Sequence, residues 1–317
     1  MVGRPFPSGD PAADRRAGYA ETLAHIGDIA AAVEVMQGAL ELAPGWAAGW
    51  VRLGDYCEMS GDVEGARAAF ARAVDADPAD PLGASLRREL LGAEPMLDAM
   101  PPAFVELLFD QYAPRFEVSL VDKLGYRGPE LVLAALDRAG AGRAARALDL
   151  GCGTGLMGQV LRGRCDWLEG IDLSSAMLEV AQGKGVYDRL DKADIATLDL
   201  GGAPYDLIVA ADVFIYLGAL ERVIAWVAGM LRPGGHLAFT VETGSAPVEL
   251  RQSRRFAHSR VYVEGLLTDA GFTGLRLAPC VLRQDRGAPV DGLVVVATAP
   301  AMACARPEGA GEAGAMA

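Results

Sequence analysis

Glycines and aspartates alternate with apolar runs between residues 147 and 172. The run Ala147–Leu150 is typical of a short buried parallel strand, and glycines follow it at every second position: Gly151, Gly153 and Gly155. Such a turn lets a ligand lie against bare peptide at the N-terminus of the next helix. Asp172 ends a second apolar strand, where its carboxylate is placed to accept hydrogen bonds from two ribose hydroxyls. The pattern therefore predicts a ligand that contains a nucleoside.

Two kinds of nucleotide site fit these residues. Gly153, Gly155 and Gly158 satisfy the dinucleotide spacing G-x-G-x-x-G, which by itself is a weak signal. Asp149 argues against that interpretation, because a carboxylate inside a buried strand needs a cation or hydrogen-bond donors, and a pyrophosphate would repel it. The positively charged amino group of a methionine moiety would satisfy it. An NAD-dependent oxidoreductase is therefore the less favoured alternative.

The segment LDLGCGTG at residues 148–155 closely resembles the first motif of class I S-adenosylmethionine-dependent methyltransferases. The resemblance implies S-adenosyl-L-methionine as the cofactor and an enzyme that transfers its methyl group by direct displacement. Carried over position by position, it implies cofactor contacts along the motif and at the end of the second strand: Asp149, Gly151, Cys152, Gly153, Gly155, Asp172 and Leu173. It extends over about residues 104–299, and the run LRPGG at residues 231–235 matches the same family.

Strands and helices keep alternating beyond this motif, which predicts an α/β domain with a parallel sheet and helices on both faces. Three strand ends carry acids, Asp172, Asp194 and Asp212, and ligands lie beyond the carboxyl ends of strands in such sheets. By the same resemblance, Asp194 and Ile195 contact the adenine, and Asp212 borders the reacting methyl group. The implied fold is the Rossmann-like, seven-stranded methyltransferase sheet, which ends in an antiparallel hairpin.

A segment rich in aromatic residues precedes this domain. Residues 93–128 begin with prolines and continue with aromatic side chains at near-helical spacing. The segment is similar to the entry helices of bacterial methyltransferases that carry tetratricopeptide repeats, and such helices fold over the cofactor and exclude water. The resemblance implies that Tyr112 lines the methyl-transfer site and that Arg127 pairs with the cofactor's carboxylate. The alternatives are a core position for the tyrosine and a solvated one for the arginine.

Acceptor specificity is expected between Glu242 and Tyr262, after the fifth strand. His258 and Tyr262 are four residues apart, so one helical turn would point both into the cleft. A histidine is the usual proton acceptor from an oxygen or nitrogen nucleophile, and Asp212 is the third candidate catalytic residue. A capping or packing role for the histidine stays open, because methyl transfer often needs only alignment. The arginines of this segment are either solvated or clamp an acidic substrate: Arg251, Arg254 and Arg255.

An internal repeat occupies the first hundred residues. A shift of 34 residues superposes Gly27 on Gly61 and Asp28 on Asp62, and this is the period of the tetratricopeptide repeat, which the second copy resembles. We interpret residues 15–92 as a small all-α region of TPR-like repeats with a capping helix at its end. It is either a scaffold that packs on its neighbour or a groove for a peptide. Two repeats are fewer than the roughly three needed for independent stability, which favours the scaffold.

The sequence thus divides into five parts. A tail at 1–14 precedes the repeats at 15–92, the linker and cofactor-covering helices at 93–128, the methyltransferase domain at 129–299 and a second tail at 300–317. Both tails lack a periodic pattern and are predicted to be disordered. A length of 317 residues with 51% hydrophobic residues is enough to build two cores.

Composition excludes several function classes. A formal charge of −13 disfavours nucleic acid as a partner, because phosphate neutralisation needs a basic surface. The sequence has no apolar run long enough to span a membrane and no secretion-signal pattern at its start. Five scattered cysteines and three histidines suggest neither a disulfide framework nor a metal site. A reducing cytoplasm is the expected location.

These features predict an S-adenosylmethionine-dependent methyltransferase that acts on a small-molecule acceptor. The alternatives are a protein methyltransferase whose substrate docks through the repeats, and a TPR adaptor or sensor that binds the cofactor without turnover. The short repeat groove favours a small molecule. A protein partner at the repeats and a homodimer stay open.

Overall fold

A computed structural model describes residues 6–92, 97–198, 204–285 and 287–300, without the side chains of residues 121–123. Of the two predicted tails, residues 1–5 and 301–317 lie outside the described residues. No described helix has both the length and the apolar character needed to cross a membrane.

Five helices form the N-terminal repeat region, which we define as residues 11–90. They are α1 (Pro11–His25), α2 (Ile29–Leu42), α3 (Ala47–Ser60), α4 (Val63–Ala76) and α5 (Ala84–Leu90). The repeat is visible in the caps: the carboxylates of Asp28 and Asp62 accept the N–H groups of Ala31 and Gly65, at 3.2 and 2.9 Å. The predicted repeats are present as two helix pairs and a terminal helix.

The predicted N-terminal tail is wrong at its end, because α1 begins at Pro11. Asp10 caps this helix, since its Oδ1 accepts the N–H groups of Ala12 and Ala13 at 2.6 and 3.0 Å. Proline suits a first helical turn, and Ala13 is completely buried against the repeats. A capping signal therefore starts the helix four residues before the periodic pattern becomes readable.

Nine strands form one sheet among the described residues of the second part of the chain. They are β1 (Ala144–Leu150), β2 (Cys165–Asp172), β3 (Arg189–Lys192), β4 (Tyr205–Ala210), β5 (Leu231–Thr243), β6 (Val248–Leu250), β7 (Phe256–His258), β8 (Thr273–Asp285) and β9 (Ala288–Thr298). Seven of them lie in the order β3-β2-β1-β4-β5-β9-β8. In this order β9 alone runs opposite to the other six strands. This is the predicted sheet with its closing hairpin.

The two additional strands come from the segment between Glu242 and Tyr262. β6 and β7 form a short antiparallel hairpin, and β7 pairs in parallel with Glu242 and Thr243, beyond the last residue of β5 that pairs with β4. The segment therefore extends the sheet at the edge where the parallel strands end.

Helices cover both faces of the sheet. They are α6 (Pro102–Tyr112), α7 (Gly128–Ala139), α8 (Leu156–Leu161), α9 (Ser175–Lys184), α10 (Glu221–Met230) and α11 (Arg260–Asp269), with short helical turns at Ala113–Arg115, Val118–Lys123, Arg162–Arg164 and Phe214–Tyr216. One face buries residues such as Phe239 and Val295, and the other buries residues such as Leu168 and Val209. This accounts for the nearly continuous apolar character of the central strands.

The repeat region packs directly on the sheet domain. Leu86 of α5, Met100 and Phe256 form one buried cluster, and Leu86 is fully buried. The N–H of Leu97 donates to the carboxylate of Glu89 on α5 at 2.9 Å. The next residues continue onto the sheet domain, because the N–H of Met100 donates to the carbonyl of Tyr216 at 3.0 Å.

Candidate active site

A large cavity lies at the carboxyl ends of β1, β2 and β4. It encloses about 1470 Å³ of empty space, a figure that includes its solvent-open mouth. The turns after these strands line one side, at residues 151–154, 172–173 and 211–213, and α6 lines the other. This position is where ligands bind in open parallel sheets.

The glycine turn, residues 151–155, forms one wall of the cavity. Gly151 and Gly153 have left-handed backbones, with φ values of 63° and 53°. A Cβ on Gly151 would lie 1.9 Å from Cγ2 of Val213, so the turn has no space for a side chain there. The buried thiol of Cys152 also lines the cavity, whereas Gly155 begins α8 and does not.

Asp172 ties the end of β2 to the glycine turn. Its Oδ2 accepts the N–H of Gly153 at 2.9 Å, and its Oδ1 accepts the N–H of Ser174 at 2.8 Å. Burial raises the pKa of Asp172, and these two N–H groups oppose the shift. Each oxygen can accept a further hydrogen bond, as a contact with ribose hydroxyls requires. Leu173 lies beside it in the cavity wall.

Asp149 is buried at the end of β1 with one oxygen unsatisfied. Its Oδ2 accepts a hydrogen bond from the Tyr187 hydroxyl at 2.6 Å, while Oδ1 has no hydrogen-bond partner among the described residues. Burial raises the pKa of Asp149 from 3.8 to about 7. A buried carboxylate with an open oxygen on a cavity wall is suited to bind a cationic group.

Asp194 and Ile195 line the same cavity beyond β3, as predicted. Asp194 shapes its own turn, because its Oδ1 accepts the N–H of Ala196 at 2.9 Å. The second carboxylate oxygen is left for a ligand, and the side chain of Ile195 supplies an apolar surface.

The covering segment, which we define as residues 102–120, closes the cavity with aromatic side chains. Phe109, Tyr112 and Phe116 line it, and Phe109 packs edge-on against Tyr216 with ring centroids 5.4 Å apart. The predicted position of Tyr112 at the site agrees with this arrangement, although 45% of the side chain is exposed. The aromatic groups reduce the access of water to the cavity.

Polar contacts hold the covering segment on α9 and β3. The hydroxyl of Ser174 donates to Oδ1 of Asp110 at 2.6 Å. Lysines on α9 and β3 form ion pairs with the covering segment: Lys184 with Glu117, and Lys192 with Glu106. No side chain of α6 is fully buried, so these contacts and the aromatic side chains fix its position.

Asp212 lies on the cavity wall but is already paired. Its backbone is left-handed, with φ of 59°, and its N–H donates to the hydroxyl of Thr240 at 2.8 Å. Nη1 of Arg283 donates to both of its carboxylate oxygens, at 2.6 and 2.8 Å, and the other end of the same guanidinium pairs with Glu242. The predicted location is correct, but both oxygens are engaged, which opposes a role as proton acceptor.

The prediction that His258 and Tyr262 point into the cleft is wrong. His258 is the last residue of β7, fully buried, and its Nε2 donates to the carbonyl of Gly218 at 3.0 Å. Its ring stacks on Tyr262, whose hydroxyl accepts the N–H of Leu220 at 3.0 Å, and neither side chain lines the cavity. Burial lowers the pKa of His258, so this residue is a neutral packing histidine.

The predicted contact of Arg127 with the cofactor is also not supported. Arg127 is exposed at the start of α7, does not line the cavity, and uses its N–H to bond the carbonyl of Leu282 at 3.2 Å. Arg127 immediately precedes α7, and at such a position the side chain can turn to solvent without loss of packing.

Arg255 is the only cationic side chain among the described residues that line the cavity. It lies in the acceptor turn, residues 251–255 between β6 and β7, where the N–H of Arg251 donates to the carbonyl of Arg255 at 2.9 Å. Burial raises the pKa of the neighbouring Tyr216 phenol, and the charge of Arg255 opposes that shift. By contrast, Arg251 in the same turn is paired with Glu242 and Glu249.

Two residues of the site lie outside every motif that the sequence shows. Tyr187 follows α9 in a loop, and Arg283 lies in an edge strand, yet they hold Asp149 and Asp212. Among the described part of the chain, no group of three potential metal ligands occurs. The site is therefore built from carboxylates, glycines and aromatic residues.

Comparisons with known proteins agree with this geometry. A family described as methyltransferase domain matches residues 148–239, and one described as tetratricopeptide repeat matches residues 13–90. A malonyl-[acyl-carrier protein] O-methyltransferase from Enterobacter lignolyticus is 31% identical over 184 residues, which cover 56% of this chain and 71% of that protein. The human methyltransferase-like protein 27 is 30% identical over 50% of this chain and 66% of its own length.

Solved structures share the fold. The [4+2]-cyclase SpnF superposes with a TM-score of 0.51 at 19% identity, over 62% of this chain and 95% of its own. At that identity the likeness shows the architecture alone, and a [4+2]-cyclase is named for a different reaction. The reaction of this protein therefore depends on the groups that line its cavity.

Proposed function

The chain belongs to the class I S-adenosylmethionine-dependent methyltransferases, with tetratricopeptide repeats at its N-terminus, and we propose that it esterifies a carboxylate of a small acceptor.

The described residues fit S-adenosylmethionine. The open oxygen of Asp149 would take the ammonium group, Asp172 the ribose hydroxyls, and Asp194 with Ile195 the adenine. A side chain at Gly151 would clash with Val213, which lines the same cavity. When bound, the cofactor supplies an electrophilic methyl group on a sulfonium. The protein binds and orients the reactants and excludes water with the aromatic covering segment.

The position of Arg255 is the observation that supports an anionic acceptor. Its guanidinium is the single cation on the described cavity wall, and no carboxylate of the described residues forms an ion pair with it. A guanidinium facing an apolar cavity is well suited to a carboxylate, which it binds through two parallel hydrogen bonds. The proposed acceptor therefore has an anionic group and an apolar body that packs against Phe109, Phe116 and Tyr216.

Apart from the aspartates assigned to the cofactor, the described wall offers no free base, which favours a carboxylate as the nucleophile itself. Asp212 is paired with Arg283, His258 lies elsewhere, and burial raises the pKa values of Tyr126, Tyr216 and Cys152. Alcohols and amines need a base to lose a proton, whereas a carboxylate is ionised at neutral pH. An oxygen acceptor also agrees with the named O-methyltransferases among the relatives.

The stability of the product bond tests this proposal. The protein is incubated with radiolabelled S-adenosylmethionine and a panel of aliphatic and aromatic acids, each paired with the corresponding alcohol and amine. We expect label only in the acids, and mild alkali should release it as volatile methanol. Alkali-stable label in an amine or alcohol would assign a different acceptor atom. The Asp149→Asn variant is the inactive control.

We propose further that the repeats support the acceptor site. Phe256 follows Arg255 directly and shares a buried cluster with Leu86 of α5. Burial raises the pKa of Asp55 on α3, and the charges of Arg87 and Arg254 oppose this shift, so Arg254 lies close to the repeats. The acceptor turn is thus clamped between the cavity and the repeats. This supports a scaffold role, and a protein partner, a homodimer and a cytoplasmic location stay predictions.

A further inference from the structure

Tyr187 contacts Asp149, the buried carboxylate of the cofactor site whose Oδ1 has no hydrogen-bond partner among the described residues. Its hydroxyl donates to Oδ2 of Asp149 at 2.6 Å across 38 residues of sequence. Asp149 is 1% exposed, lines the cavity, and has no partner for Oδ1 among the described residues. Tyr187 itself does not line the cavity. It therefore acts on the site only through Asp149.

Hydrogen bonds fix the chain on both sides of Tyr187. Asp188 exchanges two bonds with Leu168 of β2, from its N–H to the Leu168 carbonyl at 2.8 Å and from the Leu168 N–H to its Oδ2 at 2.7 Å. Arg162 donates to the same Oδ2 at 2.6 Å and to the carbonyl of Val186 at 3.2 Å. The tyrosine is thus presented from a rigid loop, although the loop has no regular secondary structure.

Three glycines make the slot that holds the tyrosine ring. A Cβ on Gly158 would lie 2.3 Å from Cζ of Tyr187, one on Gly170 would lie 2.9 Å from Cε1, and one on Gly155 would lie 3.0 Å from Cε2. Gly158 is the third glycine of the G-x-G-x-x-G spacing. In this chain it serves the tyrosine, which explains how the spacing arises without a dinucleotide.

We propose that Tyr187 is a positioning residue for the cofactor: its hydroxyl occupies Oδ2 of Asp149 so that Oδ1 faces the cavity and receives the ammonium group of S-adenosylmethionine. The inference rests on the cofactor and on Asp149 as its ammonium ligand. It does not depend on the acceptor, so a different acceptor atom would leave it untouched.

The charges around Asp149 make this hydrogen bond important. Burial is the main cause that raises the pKa of Asp149, the Tyr187 hydrogen bond lowers it, and the charge of Asp172 raises it. The resulting pKa is about 7. The other titratable groups that face it are Cys152 and Tyr126, which are neutral because burial raises their pKa values. Loss of the hydroxyl therefore favours the protonated carboxyl, which cannot pair with an ammonium group.

The test compares two ligands in calorimetric titrations of Tyr187→Phe and of the unchanged protein. S-adenosylhomocysteine carries the ammonium group, and 5′-methylthioadenosine lacks it. At neutral pH we expect the Kd of S-adenosylhomocysteine to rise about tenfold in the variant and that of 5′-methylthioadenosine to stay within about twofold. Raising the pH by about one to two units should restore most of the lost affinity, because Asp149 ionises again.

Tyr205→Phe is the matched control. The Tyr205 hydroxyl also donates to a buried carboxylate, Oε2 of Glu169 at 2.6 Å, but neither residue lines the cavity. This variant should leave both Kd values unchanged. Equal weakening of both ligands by Tyr187→Phe, or a loss that pH does not restore, would show that the tyrosine only packs under the glycine turn. Unchanged affinity for both ligands would also overturn the proposal.

Discussion

Arg283 holds Asp212 through both carboxylate oxygens, at 2.6 and 2.8 Å, although 71 residues separate them in sequence. The guanidinium is fully buried and also pairs with Glu242. It is thus a buried cation between two acids that lie at the ends of β4 and β5. The interaction joins the wall of the cavity to an edge strand of the sheet.

Replacing Arg283 by methionine should strongly destabilise the protein. Two acids would be left buried without their cation, and breaking a buried ion pair in this way typically costs about 3–5 kcal/mol. Urea unfolding followed by circular dichroism measures the change. Arg276→Met is the control, since Arg276 is an exposed arginine of the same strand. An equal, small effect in both variants would refute a structural role for the ion pairs of Arg283 with Asp212 and Glu242.

Removing the charge of Arg255 should weaken acceptor binding and leave cofactor binding intact. For Arg255→Gln we expect KM for an acidic acceptor to rise at least about tenfold, because a charge-assisted contact is lost. The Kd of S-adenosylhomocysteine should not change. Steady-state kinetics and calorimetry measure the two quantities separately.

Arg222→Gln removes an exposed arginine on α10 and controls for net charge. If it raises KM as much as Arg255→Gln does, the effect is long-range electrostatics. A fall in cofactor affinity with Arg255→Gln would place Arg255 in the cofactor subsite and not in the acceptor subsite.

Asp149→Asn should abolish cofactor affinity while stabilising the ligand-free protein. The folded protein raises the pKa of Asp149 from 3.8 to about 7, so it binds a proton that the unfolded chain releases. The stability from this group therefore falls as pH rises from about 4 to 7, by at most ~4 kcal/mol. Thermal unfolding should show a higher Tm for the variant at neutral pH and little difference near pH 4. A lower Tm at neutral pH would contradict the burial argument.

Shortening Leu86 should reveal how the repeats act on the site. Leu86→Ala opens a cavity in the cluster shared with Phe256, which costs about 2–5 kcal/mol and loosens the acceptor turn. We expect a higher KM for the acceptor and an unchanged Kd for S-adenosylhomocysteine. Leu40→Ala is the control, since Leu40 is buried within the repeats and outside that cluster. If both variants raise the KM for the acceptor by the same factor, the repeats contribute only global stability.

Local patterns predicted the parts of the site that a short stretch of chain builds. The glycine turn, the acids at strand ends and the closing hairpin each depend on residues that are neighbours in sequence, and the structure has them at the predicted places. The prediction about His258 failed because it assumed one helix from 258 to 262. In the structure β7 ends at His258, Ser259 caps α11, and the strand pairs with Thr243. That pairing is non-local and leaves no periodic signal.

Tyr187 and Arg283 were missed for the same physical reason. Their partners lie 38 and 71 residues away, so only the folded sheet brings them together. A loop tyrosine and a strand arginine are ordinary residues when read in sequence. The only trace of the tyrosine is the third glycine of the motif, Gly158, whose missing side chain makes space for its ring.

The covering segment sets how the spent cofactor leaves. No side chain of α6 is fully buried, and ion pairs to Lys184 and Lys192 form part of its attachment. Ion pairs that are partly exposed to solvent weaken as salt screens them. Product release should therefore accelerate with ionic strength, so that added salt speeds turnover wherever departure of S-adenosylhomocysteine limits the rate.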